Sequence, residues 1–387
     1  MSRGMKIALF WALLIILMLF SCIYAGGADA DSGYESMPEE YGDFIGSLDD
    51  AVLDKLPESA LDGDSEGLLS AAEEMISVSY LINIVFSSFG GAIGEILPTL
   101  AWLMATVILS ALAQMFAGGL DGGLSGAVSF SCRLCSFLSI AAASVEALSR
   151  LSEYFNGLFA AVAGFIPLSG VLYAMGGNLT GAASGSVTLS ATLALCQFFF
   201  SETVIPMFCV CLSLSLLSVF DGVGAVALTA VGVAVKKWYT TALAFVMMIL
   251  TTAVAAQEIL ASKADGAAMR GVKFAASSFV PISGGALSST LGTLAASVEL
   301  LRGVVGVIGV VIILLMLIPI SVYLAAMRGA LAIASFTAGV LGCGGEKRLL
   351  DEIGSLYGYL EGIAIISAVV FIIAMAVFAS SAAAVAG

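Results

Sequence analysis

Apolar runs of roughly 20 residues, the length that crosses a bilayer's hydrocarbon core, recur along this chain from Ile76 onward. Of its 387 residues, 60% are hydrophobic and 11% charged, where a soluble domain carries roughly a quarter charged. Water does not solvate the bulk of such a chain. A membrane β-barrel would instead alternate polarity in ten-residue segments, a pattern that is absent. The expected fold class is all-α, a polytopic helical membrane protein.

The first fifth reads differently. Arg3 and Lys6 precede an unbroken apolar run, Ile7 to Phe20, and small residues follow at Ala25 to Ala28. Residues 1–25 therefore read as a signal peptide, with an uncleaved first helix as the alternative. Residues 26–75 form an acidic arm. Between Asp29 and Glu74 there are fifteen acids and one base, Lys55, which accounts for the net charge of −14. Outside it, thirteen acids balance thirteen bases. Within the arm, Phe44, Ile45, Leu48, Val52, Leu53 and Leu56 fall near helical spacing, predicting short amphipathic helices on the far side of the membrane. Such an arm is either a docking site for a partner or a solvated spacer.

Residues 76–387 form the membrane domain. Two copies of Phe-x-Pro-x-Ser-Gly punctuate it: Phe165, Pro167, Ser169 and Gly170, then Phe279, Pro281, Ser283 and Gly284 with Gly285. Proline removes a helical hydrogen bond and restricts the residue before it, and glycine frees the backbone, so each motif is expected to break a helix. Broken backbone at membrane depth survives only under protein or water. Around the motifs, parallel repeats of about 110 residues can be laid out, roughly 90–200, 201–310 and 311–387. Each holds a proline helix (Pro98, Pro206, Pro319), a glycine-containing polar break, basic residues and a second apolar helix at 134–148, 238–257 or 362–379. Six crossings are expected after the signal, with the motif segments crossing or re-entering. Arg133, Lys236-Lys237, Arg328 and Lys347-Arg348 then share the cytoplasmic side, with Arg150 and Arg302 on the other.

The chemistry these residues permit is narrow. Histidine is absent, which removes histidine triads, ligands and proton relays. Cys132-Arg133-Leu134-Cys135 has redox spacing but opens an apolar helix rather than a soluble βαβ unit. No phosphate loop, nucleophile elbow or basic patch is present. The chain is expected to be no enzyme, to need no cofactor or metal, and to bind no nucleic acid. Behind the second motif, Ser289, Thr293 and Ser297 form a polar stripe at four-residue spacing. Small residues so spaced serve close helix packing; a pore lining is the sharper alternative. Glu299 and Arg302, three apart, can pair on one helix face. Glu95, Glu146, Glu202, Glu258 and Glu361 lie near prolines or run ends, where they mark interfaces or an ion route.

The block Phe279-Val-Pro-Ile-Ser-Gly-Gly-Ala-Leu-Ser-Ser-Thr-Leu, with Gly303-Val-Val-Gly-Val-Ile-Gly behind it, resembles the stage III sporulation protein AE family of endospore-forming bacteria. The resemblance runs in order over nearly the whole chain and is close over about residues 270–320. It implies a non-enzymatic component of the channel complex joining mother cell and forespore, in the mother-cell membrane around the forespore and needed for late forespore development. It further implies other membrane subunits and a forespore-side protein as partners, besides lipid. Self-association stays open, and so do two alternatives: a self-contained small-molecule or ion permease and an assembly factor without a pore. No catalytic residues come with the family.

Overall fold

The computed structural model describes residues 37–61, 63–117, 122–176, 179–216, parts of 230–252, and 284–380. All regular elements among them are helices. Four short ones lead: α1 (Glu39–Gly46), α2 (Asp50–Leu53), α3 (Glu58–Leu61) and α4 (Ser65–Ile76). The long ones are α5 (Val78–Ala117), α6 (Gly122–Met175), α7 (Leu179–Phe199), α8 (Ile205–Leu216), α9 (Gly284–Val340) and α10 (Gly344–Ser380). A π-helical turn, Phe200–Val204, joins α7 to α8, one residue short of Pro206.

Among the described residues, five helical stretches are long and apolar enough to cross a membrane: Val78–Phe116, Gly126–Met175, Ala182–Ser215, Leu300–Val340 and Gly344–Ala376. Helix α9 is the axis of the body. From Leu301 to Leu324 no residue of it is exposed, because α5, α6, α10 and α4 all pack on it. Its seam with α10 is close. A Cβ on Gly306 would stand 2.6 Å from the Cβ of Ala379, and one on Gly309 3.0 Å from Met375 Sδ. Small residues at this spacing let two membrane helices approach backbone to backbone.

The turn between α9 and α10 follows from glycine chemistry. Gly342 adopts φ +80°, a left-handed conformation that costs a Cβ-bearing residue about 1–2 kcal/mol. Gly342 N–H donates to Gly339 O (3.3 Å) and Cys343 N–H to Ala338 O (2.9 Å), the paired bonds of a Schellman cap. This is the glycine break expected at Gly342 to Gly345.

The break expected at the first motif does not occur. Helix α6 runs through Pro167 and ends only at Met175. Pro167 lies on the exposed face of α6, so its missing hydrogen bond and the bend it imposes fall away from the core. Consequently the helix 134–148 and the first motif are one element, not two. Phe279, Pro281 and Ser283 lie outside the described residues, as do residues 1–36 and most of 238–257, and the threefold repeat is not established. Pro98 and Pro319 lie inside α5 and α9, and Pro206 near the start of α8.

The described part of the acidic segment, from Met37, packs on the long helices. Phe44 packs edge-on against Phe165 of α6, centroids 5.9 Å apart. Tyr41, Phe44, Leu48, Val52 and Leu56 join the core of the long helices. Asp49 and Ser47 sit over α6 at Gly157 and Gly164: a Cβ at Gly157 would come within 2.5 Å of Asp49 Oδ2, and one at Gly164 within 3.3 Å of Phe44 Cα. Tyr41 O–H donates to Ala60 O (2.7 Å), closing the short helices on one another, and Tyr80 O–H donates to Lys55 O, tying them to α5.

Candidate functional site

The charged and hydroxylated side chains of the bundle gather in layers. The upper layer is built by α5, α6 and α9. Arg150 Nη1 meets Glu95 Oε2 at 3.0 Å and Arg150 Nη2 meets Glu146 Oε1 at 2.9 Å, the second pair one helical turn apart. The same guanidinium lies 4.6 Å from the centroid of the Tyr323 ring, a cation–π distance. Two carboxylates on one cation leave this layer with an excess negative charge. Glu153 and Glu202 are also exposed, and Phe200, two residues before Glu202, stacks on Phe155, two after Glu153 (centroids 5.1 Å).

Hydroxyls continue the polar track inward. Ser144 Oγ donates to Ile140 O (2.9 Å), so in its 3.1 Å contact with Tyr357 the phenol supplies the proton. Tyr154 O–H donates to Ala364 O (3.0 Å) and lies 3.2 Å from Ser367 Oγ. Between these two contacts along α10, Arg328 Nη1 pairs with Glu361 Oε2 at 2.5 Å. Gly358 makes room for that arginine, since a Cβ there would come within 2.8 Å of Arg328 Cζ.

The lower layer joins the C-terminal end of α5, the start of α6 and the α9–α10 turn. Glu346, 1% exposed, accepts from Ser110 Oγ (2.6 Å) and Gln114 Nε2 (2.8 Å). Buried Arg133 lies against Gly345, where a Cβ would come within 2.7 Å of its Cδ. Beside them, Lys347 pairs with Asp351 (2.6 Å), Ser335 O–H donates to Asp351, and Ser215 O–H donates to Glu352 (3.1 Å). Burial, chiefly, raises the pKa of the Cys343 thiol in the turn.

Against the sequence-predicted residues, the result is mixed. Phe165 and Ser169 of the first motif are buried, 1% exposed each. Phe165 packs edge-on against Phe378 (5.1 Å), Ser169 O–H donates to Ile166 O (2.7 Å), and Gly170 faces Ser186 Oγ of α7. Phe165 and Ser169 thus face the interior of the bundle, while Pro167 faces outward. Helix α9 begins at Gly284, with Gly285, Ser289, Thr293 and Ser297 in its first turns; the side chains of that stripe, and of Glu299, lie outside the description. Arg302 is buried and stacked: its Cζ lies 4.1 Å from the Tyr173 centroid and 5.0 Å from that of Phe378, and Nη2 donates to Phe378 O (3.2 Å). The Cys132–Cys135 pair carries free thiols. Sequence reasoning missed the Ser110–Gln114–Glu346 contact and the tyrosine hydroxyls; Glu346 in a glycine-rich turn was the signal available for the first.

Among the described residues no group of three or more cysteines or carboxylates is placed to hold a metal ion. Comparison with curated proteins and with solved structures gives no match. The model of one family, described as stage III sporulation protein AE, matches residues 65–382, a stretch that takes in every long helix of the bundle. This chain belongs to the stage III sporulation protein AE family.

Proposed function

We propose that this sporulation-family membrane protein is a non-enzymatic subunit of a channel or secretion-like complex between mother cell and forespore, seated in the mother-cell membrane around the forespore. The family match over residues 65–382 carries the reading. The enclosed axis α9 fits a scaffold whose work is to hold position, and the docked acidic module offers a surface to proteins beyond the membrane. Its partners would be the other membrane subunits and a forespore-side protein. The test is deletion in an endospore-forming host, with microscopy of sporulation and a reporter of late forespore expression. Arrested forespores, rescued by the intact gene, are expected; normal spores overturn the proposal.

A permease is the second reading, favoured by the Glu95–Arg150–Glu146 layer with Tyr323 beside it. Carboxylates in excess of cations at one end of a bundle raise the local concentration of cations there. Arg150→Met separates the two. A permease loses flux through vesicles of the purified chain, whereas a subunit shows no flux before or after the change and still assembles.

A further inference from the structure

The geometry points to where the lipid bilayer sits on this protein: between the Ser110–Gln114–Glu346 layer and the Glu95–Arg150 layer, with the helices beyond Arg150 standing in water as a cap. Along α5, Glu95 to Gln114 spans about 29 Å of helix; along α6, Arg133 to Arg150 spans about 26 Å. Both lengths match the roughly 30 Å hydrocarbon core. Between the layers the bundle exposes large apolar side chains, Trp102 and Leu109 on α5, Leu138 and Val145 on α6, Ile333 and Phe336 on α9. Beyond the upper layer the exposed face of α6 changes to Glu153, Asn156, Ala160, Ala163 and Pro167, a face suited to water.

The acidic module sets the same limit independently. It packs on α6 at Gly157 and Gly164, above Arg150, while exposing Glu39, Asp43, Asp50, Asp54 and Glu58. Lipid at that level would immerse those carboxylates. Helices α5 and α7 do carry exposed apolar residues above the layer, Ile82, Phe86 and Phe89 on the first, Val187 and Phe198 on the second. A bilayer reaching Ile82 from Gln114 would need about 48 Å of helix, beyond a hydrocarbon core of about 30 Å. Those residues stand in the cap. The opposite boundary carries Lys347 and Arg348, both exposed, at the level where lipid headgroups accept cations. The placement stands whether or not the chain is a channel subunit.

Cysteine labelling tests it on the full-length chain in vesicles of phosphatidylethanolamine and phosphatidylglycerol, with exposed Cys135 and Cys209 changed to serine. A membrane-impermeant maleimide should label Glu153→Cys, Asn156→Cys and Glu202→Cys at least tenfold faster than Leu138→Cys, Val210→Cys and Phe336→Cys. Protection of Asn156→Cys to the level of Leu138→Cys overturns the placement, as does rapid labelling of Leu138→Cys and Phe336→Cys. A second measurement needs only one conservative change. Lipids brominated along the acyl chain should quench the emission that Trp102→Phe removes; an unquenched Trp102 overturns the placement too.

Discussion

A methyl group on Gly306 has nowhere to go, with Ala379 Cβ at 2.6 Å and Met375 O at 3.2 Å, whereas one on Gly303 meets nothing within 4 Å. Overpacking a fitted seam costs about 1–3 kcal/mol. Gly306→Ala should therefore lower the unfolding temperature in detergent, with Gly303→Ala near neutral as its control; equal effects would contradict the seam. Tyr41 supplies a pH prediction. Burial raises its phenol pKa well above the ordinary 10.0, so the folded protein holds a proton that the unfolded chain releases near that value. The stabilisation is complete below pH 10 and is lost as the solution becomes more alkaline. The acidic module should thus become more protease-sensitive above about pH 10, and Tyr41→Phe should weaken that dependence while removing the bond to Ala60 O, at a cost of about 0.5–1.5 kcal/mol.

Elements are joined here through glycines that face side chains. The module α1–α4 is held on α6 at two of them, Gly157 beneath Asp49 and Gly164 beneath Ser47. Gly164→Leu should lift the module, and limited proteolysis should then cut within residues 37–76 while helices α5 to α10 stay intact. Unchanged cleavage would mean that the apolar contact of Phe44 with Phe165 holds the module alone. At the other end, Glu346 ties the α9–α10 turn to α5 through Ser110 and Gln114. Glu346→Ala removes the acceptor of the buried Ser110 hydroxyl, while Gln114 Nε2 keeps its bond to Ser110 Oγ (3.0 Å); the loss is about 1–3 kcal/mol for a buried polar group left unpaired. Its checkable result is faster hydrogen exchange in the turn at 341–345.

For the whole molecule, the distance between the two polar layers is a prediction about membranes. Stability in reconstituted bilayers should peak where the hydrocarbon thickness is about 26–29 Å and fall in thicker lipids, since mismatch costs fractions of a kcal/mol per Å. A monotonic rise with thickness would place the layers elsewhere. At this scale the sequence by itself determined the helical membrane class, the acidity of the N-terminal segment and its amphipathic helices, because hydrophobic run length and 3.6-residue periodicity are local properties. The proline positions and the Gly342 turn were legible for the same reason. Only the tertiary structure decided that the helix continues through Pro167 rather than ending there, since the outcome depends on which face points outward. It alone decided that the acidic segment docks, that Arg150 joins Glu95 across two helices, and that Glu346 reaches Ser110, 236 positions away. Such contacts are chosen by the packing of long helices around α9, and no local pattern in the chain records which partner a charge will meet.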